Sequence, residues 1–374
     1  MANVLINGVS AKSGGGRSIL TNFLTCLKSN GSKNEYFVVV PFERLYSQFS
    51  SNVTIIPMWF LSQLIFLPFV NAYVLPYLIK KYNIDVVFNV SDLPIPTSKH
   101  QVFLFDWPYA AYPDSKAWSL LDFKGLVVRK AKLYLFKKYL PFVNKLIAQN
   151  SALQERLEFL YKINGISIIP NAVSSDSLNN NLQFDFEFVE GFKLLCLTCY
   201  YPHKNLEIFI PLAKLIRDRG LDIKIILTIS KEQGKKAERL LEDIKDNFLS
   251  DIIINIGPVS MDSVPSLYEQ TDGLILPTLL ESFSGTYVEA MYHKKPIYTS
   301  YLDFATCVCQ DSAYYFDPFD PDDILKIILT SREDMEQLQV KIDVGYSIID
   351  NLPSWNQAFE MYEELFLSED DRNK

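Results

Sequence analysis

Residues 273–300 read GLILPTLLESFSGTYVEAMYHKKPIYTS. The run from Gly273 to Leu276 is apolar and stops at Pro277, so it reads as a buried strand. A short loop follows with Glu281, Ser282, Phe283, Ser284 and Gly285. A helical pattern begins near Gly285, carries Glu289 and breaks at Lys294-Lys295-Pro296. Ile297–Ser300 then read as the next strand. One carboxylate thus lies in the loop and one in the first turns of the helix. The free backbone N–H groups at that helix start form a site for an anion. A single glutamate there would only complement the helix dipole. Two, flanking an anion site, point to a hydroxyl-rich neutral ligand joined to a phosphate, because carboxylates accept hydrogen bonds from hydroxyls and repel phosphate.

A nucleotide-sugar has that layout of sugar, diphosphate and ribose. The string also resembles the signature of the retaining family-4 glycosyltransferases. Glu281 and Glu289 have the family's spacing of seven intervening residues, and Glu289-Ala290-Met291 and Pro296 match. The match departs at Ser282, where the family usually has Gly, and across Gly285-Thr286-Tyr287. The resemblance implies a GT-B fold: two Rossmann-like parallel-sheet α/β domains facing a central cleft.

A chain of 374 residues is too long for one ordinary core and predicts two domains. The start, MANVLINGV, reads as an apolar strand rather than a leader. Five cysteines without framework spacing (Cys26, Cys196, Cys199, Cys307, Cys309) predict reduced thiols. Cys196-x-x-Cys199 lies in an apolar, strand-like run with no second pair, so no metal is expected there. The net charge of −8 is unevenly spread: residues 1–180 hold 18 Lys+Arg against 10 Asp+Glu, and the remainder holds 18 against 34. A basic first half points to an anionic partner. No nucleic-acid motif accompanies the charge, so an anionic membrane surface is the expected partner.

In the first half, Val4–Val9 reads as a first strand. The glycine-rich stretch Ser10–Ser18 follows, with a helix from Ile19. It matches neither the Rossmann fingerprint nor a P-loop. The resemblance places such a loop near the donor diphosphate, with Gly15, Gly16 and Arg17 as donor-binding candidates. Further strands (Tyr36–Val40, Val53–Ile56, Val86–Val90, Val102–Phe105, Lys145–Gln149) alternate with helical stretches, which implies a parallel sheet. Ile55–Ile79 carries no charge, and hydropathy makes it a candidate span. Its prolines argue instead for a buried crossover or an interfacial helix anchored by Trp59, Phe60, Phe66 and Phe69. Residues 119–146 form a dense basic patch whose charges spread around the helix. His100, before its strand, reads as a surface residue. Asp106 follows Phe105 at a strand end. The resembled family often has a His there, lining the sugar site; either Asp106 holds that position, as a candidate catalytic residue, or the His is lost to Phe105.

In the second half, Phe192–Cys199 reads as a strand. It leads to Lys204-Asn205 near a helix start, which matches the family's diphosphate lysine. The family's preceding arginine is replaced by Cys199-Tyr200-Tyr201. Pro170-Asn171 closes the first domain, and Asp185-x-Glu187 reads as solvated charge in the linker. The predicted domains are 1–178, binding acceptor, and 188–352, binding the nucleotide-sugar; a helix in 353–374 crosses back to the first domain.

The resemblance implies a retaining, metal-independent sugar transfer with no cofactor. The expected donor is a UDP- or GDP-sugar. The expected acceptor is a lipid-linked glycan of cell-surface polysaccharide synthesis (O-antigen or capsule type), used by a cytoplasmic protein peripheral to the inner face of the membrane. Lys204, Glu281 and Asp106 would be catalytic. Glu289, Phe283, Ser284 and Gly285 would hold the donor. A non-catalytic partner subunit is the competing expectation, motivated by the absent arginine.

Overall fold

The computed structural model describes residues 1–12, 14–42, 52–63, 66–172 and 190–367. The domain boundary and Asp185-x-Glu187 lie outside the described residues. The chain divides into two compact units, each built on a parallel sheet.

The first unit comprises the described residues of Met1–Pro113, Asp122–Ala172 and Pro353–Lys374. Its strands are β1 (Asn3–Asn7), β2 (Glu35–Val40), β3 (Val53–Pro57), β4 (Val86–Asn89), β5 (His100–Leu104), β6 (Lys145–Ala148) and β7 (Ser167–Ile168). They pair in the order β3-β2-β1-β4-β5-β6-β7. Parallel strands need crossovers that cover both faces, which is why these segments are near-continuous apolar runs. On one face, Val86, Phe88, Val102 and Leu104 meet the helices Gly14–Asn30 and Trp355–Leu365. On the other, Leu5, Val39 and Val87 meet the segment Leu67–Lys81. Phe103 and Phe105 alternate with Val102 and Leu104, so they point to this second face. They pack on Phe136 of the helix Phe123–Tyr139, with ring centroids 6.1 and 5.7 Å apart.

The uncharged stretch Ile55–Ile79 is broken up. β3 ends at Pro57, and helical turns follow at Leu67–Phe69, Val70–Val74 (a π turn) and Leu75–Lys81. None of the helices among the described residues is long and apolar enough to cross a membrane. The segment buries Leu67, Val70, Leu75 and Leu78 and exposes Phe69, Tyr73 and Tyr77, while Trp59 and Phe60 stand exposed in the turn before it.

The helix Trp355–Leu365 opens with a capping box between Ser354 and Gln357. It lays Phe359, Tyr362 and Phe366 on Phe23 of the first helix, with centroids 4.9, 6.2 and 6.3 Å away. Glu363 accepts hydrogen bonds from the hydroxyls of Tyr36 and Ser32. His100 is not the surface residue its sequence position implied. It is half-buried with Nε2 2.8 Å from the Leu365 carbonyl oxygen, because β5 starts where this helix ends.

The second unit comprises the described residues of Asp114–Leu121 and Val173–Leu352. Its strands are β8 (Phe192–Cys196), β9 (Ile223–Leu227), β10 (Ile253–Asn255), β11 (Gly273–Leu276), β12 (Ile297–Ser300) and β13 (Ala313–Phe316), in the order β10-β9-β8-β11-β12-β13. Strand order reverses between β8 and β11, as it does between β1 and β4 in the first sheet. Residues 114–121 fall outside the sequence-based boundaries: they leave the first unit and group with the second.

Candidate active site

In open parallel sheets, ligands bind beyond the carboxyl ends of the strands where the order reverses, because loops from the two neighbouring strands diverge there. In the second unit these are the loops after β8 and β11, which carry Lys204 and Glu281. Lys204 closes a single 3-10 turn, Pro202–Lys204, and Asn205 follows in the left-handed conformation at φ 57°. No long helix starts at Lys204, contrary to the sequence reading. A second 3-10 turn, Leu206–Ile208, intervenes before the helix Phe209–Asp218. The turn is tied down: Asn205 donates its amide to the Pro318 carbonyl at 2.7 Å. The His203 carbonyl accepts from the Leu279 amide at 2.8 Å and the Thr278 hydroxyl at 3.3 Å.

Across these loops the Lys204 ammonium forms an ion pair with Glu281 Oε1, and the two side chains are only 13% and 11% exposed. The structure joins Glu281 to Lys204, so any anion reaching this lysine shares it with a carboxylate. Beneath the pair, Cys196 ends β8. Burial pushes its thiol up to about 12, and the Lys204 charge opposes this only in part. Cys199 lies exposed past the strand end, so β8 stops three residues short of the predicted limit. Among the described residues no group of three or more His, Cys, Asp or Glu side chains could hold a metal ion.

The helix Gly285–Tyr292 follows the Glu281 loop. Glu289 lies half-buried in its second turn. It acts electrostatically on Tyr268, whose hydroxyl donates to the Thr286 carbonyl at 3.2 Å and whose ring stacks on His293 at 4.9 Å. Burial, then the Glu289 charge, push the Tyr268 hydroxyl well above its ordinary pKa. Phe283 is buried and anchors the loop in the core. The strained position is Ser284, at φ 62° and ψ 94°, with its hydroxyl 2.9 Å from that of Thr286. An L side chain there costs about 1–2 kcal/mol. The glycine next to it, Gly285, sits in open space at the first helical position.

In the first unit the glycine-rich stretch is not a loop extending to Ser18. The helix starts at Gly14, so Gly15, Gly16 and Arg17 form its first turn. First-turn N–H groups need no intrahelical acceptor, and the missing side chains let the helix start close to the sheet. A Cβ on Gly15 would stand 3.4 Å from Asp106 Oδ2, and one on Gly16 4.0 Å from the Val90 carbonyl oxygen. Asp106 and the glycines therefore meet at the carboxyl ends of β1, β4 and β5, while Arg17 is exposed. The loop after β4 is fixed by buried amides: Asn89 donates to the Leu93 carbonyl at 2.8 Å, and Gln101 accepts from the Ile95 amide at 2.8 Å.

Two residues here were not read as site residues from the sequence. Lys132 forms an ion pair with Asp92, and its Nζ sits 4.2 Å over the Trp107 ring, next to Asp106. Burial lowers the Lys132 pKa, and Asp92 opposes that. Arg129 lies 4.8 Å over Tyr109 and Arg156 4.1 Å over Tyr112. Part of the basic patch therefore caps the aromatic loop after β5 rather than facing solvent.

Residues 181–342 match the family model described as glycosyl transferases group 1. The matched stretch lies within the second unit. Solved structures resemble the chain over nearly its whole length. Sucrose-phosphate synthase from Thermosynechococcus elongatus has a TM-score of 0.71 at 13% identity, covering 98% of each chain. A glycosyltransferase from Rickettsia africae has a TM-score of 0.70 at 16% identity, covering 98% of this chain and 97% of its own. HepE from Anabaena, solved with UDP and glucose, has a TM-score of 0.69 at 15% identity, covering 97% of this chain and 99% of its own. No curated protein matches the chain. These likenesses establish the GT-B fold expected from the sequence, with two parallel-sheet α/β units.

Proposed function

We propose that the chain is a retaining, metal-independent glycosyltransferase. It moves a sugar from a UDP- or GDP-sugar to a hydroxyl acceptor, a lipid-linked glycan of cell-surface polysaccharide synthesis. The observation that carries this reading is the Lys204–Glu281 pair at the reversal point of the second sheet, with Glu289 in the helix that follows. Lys204 offers a cation to the departing diphosphate, together with backbone N–H groups of Phe283, Ser284 and Gly285. Glu281 orients the donor sugar and favours positive charge at its anomeric carbon. Glu289 takes the ribose hydroxyls. Asp106, beside Gly15 and Gly16, is assigned to the acceptor side of the reaction. The complexes of Anabaena HepE with UDP and with UDP-glucose support a uridine nucleotide as the first donor to test.

Transfer from UDP- and GDP-sugars to lipid-linked acceptor mixtures tests this reading. Glu289→Ala should lower transfer about 100-fold or more, the range for losing a well-placed polar partner of the transition state, with an unchanged melting temperature. Near-wild-type transfer would remove the proposed site. Donor binding without turnover in any mixture supports the second reading, a non-catalytic partner subunit. That reading draws on the loop Cys199–Tyr201, which holds no second cation and whose Tyr200 hydroxyl is bonded to Glu207.

The proposed location is cytoplasmic, peripheral on the inner face of an anionic membrane. Trp59, Phe60, Phe69, Tyr73 and Tyr77 are all more than half exposed. The Leu67–Lys81 segment and the lysine-rich helix Phe123–Tyr139 cover the same face of the first sheet. Aromatic side chains seat at a bilayer interface while lysines meet anionic headgroups. Co-sedimentation with vesicles containing phosphatidylglycerol is expected at low salt, weakening about ten-fold or more when Trp59 and Phe60 are both replaced by serine. Equal binding of this variant moves the contact elsewhere.

A further inference from the structure

We infer that residues 114–121 are a strap that positions the two loops carrying Lys204 and Glu281; its catalytic meaning rests on the donor reading above. The segment has no strand or α-helix of its own. Its one ordered turn, Lys116–Trp118, is capped by Ser115, whose side-chain oxygen accepts from the Ala117 amide at 3.1 Å. The same Ser115 hydroxyl donates to the Leu279 carbonyl at 3.2 Å. Ala117 is fully buried. Lys116 places its ammonium 4.0 Å over the Phe319 ring, and Lys236 donates to the Leu120 carbonyl at 2.6 Å.

The places the strap touches belong to one connected frame. Leu279 lies two residues before Glu281, and its amide bonds the His203 carbonyl, one residue before Lys204. Phe319 follows Pro318, whose carbonyl takes the Asn205 amide, one residue after Lys204. Ser115 therefore holds the Glu281 loop and Lys116 the loop after β13. Both loops in turn hold the Pro202–Asn205 turn. Neither strap side chain reaches the Lys204–Glu281 pair itself, so both are positioning residues. Releasing Ser115 frees the Leu279 carbonyl, loosens the loop on which Glu281 rides, and lets the ion pair drift from the geometry that meets a diphosphate.

The test uses the full chain and has two readouts. The first is amide hydrogen exchange without ligand, followed by mass spectrometry, on wild type, Ser115→Ala, Lys116→Gln and Ser115→Thr. In Ser115→Ala, peptides spanning 277–284 and 202–206 should exchange about five-fold faster, the worth of one ordinary hydrogen bond. Peptides of β9 should be unchanged, and Ser115→Thr should restore the wild-type rate. The second readout is calorimetric titration with UDP, where Ser115→Ala should bind about five-fold more weakly at an unchanged melting temperature. Exchange that is the same in all four proteins overturns the strap. Faster exchange with unchanged UDP affinity overturns its positioning role. Wild type that binds neither UDP nor GDP in the same titration, yet shows the exchange difference, sinks the donor reading while the strap's hold on the loops stands.

Discussion

Replacing Lys204 by methionine is expected to remove about 3 kcal/mol of stability from the second unit and to lower transfer about 100-fold or more. The side chain of its partner Glu281 is 11% exposed, so water does little to compensate the stranded carboxylate. Breaking a buried pair from one side costs more than removing it entirely. The double variant Lys204→Met, Glu281→Leu should therefore recover more than half of the lost stability, and urea melts of the four proteins in the cycle measure the coupling. Additive losses would mean that the pair does not act as a unit. If Lys204 is the diphosphate's cation as proposed, activity should not recover in the double variant, because that cation is missing from both. Recovered stability without recovered transfer separates the packing role of the pair from its chemical one.

Lys132→Met should destabilise the first unit by about 2 kcal/mol. The loss is smaller because the Asp92 side chain is 32% exposed and its stranded charge is partly hydrated. Here pH gives a second handle. The folded state lowers the Lys132 pKa, chiefly by burial, so the unfolded chain binds that proton more tightly. Between the lowered folded value and the ordinary 10.5, the unfolded state holds more protons. The contribution of this lysine to stability therefore rises with pH through that window. Melts of wild type and Lys132→Met from pH 7 to pH 10 should show the gap between them widening. A gap that narrows would place Lys132 as a lysine whose charge the fold favours. Loss of the cation from the Trp107 ring should also alter the tryptophan fluorescence of the folded protein.

Most strands could be read directly, because parallel strands buried on both faces must be short apolar runs, and these are punctuated by Gly, Pro and Asn. The helix after Glu281 was equally legible, since an apolar strand, a polar loop and a helical period fell within 28 residues. Other features depend on interactions that a linear reading does not register. The glycines at 14–16 look like a loop to any propensity argument, yet they are a helix start brought close to Asp106 and Val90. The hydropathy of residues 55–79 conceals turns that separate a buried side from an exposed one. Lys204 and Glu281 were each identified as candidates, but their pairing spans 77 positions and follows from β8 lying beside β11. Asp92 had no signal at all, and Lys132 was read only as one charge of the basic patch, because one lysine among several in a basic helix acquires its meaning from what it faces.

The helix Trp355–Leu365 has a consequence for the order in which the chain is made. Phe23 and Phe88, which leave the ribosome before the second unit, are roofed by Phe359, Tyr362 and Phe366, which emerge after it. The first sheet can pair its strands as they appear, but one of its faces stays uncovered until the whole second unit has been synthesised. The first unit is thus completed only after the second has been made. A ribosome that stalls before Trp355 releases a chain with an uncovered aromatic face, the kind of surface that chaperones hold and proteases find.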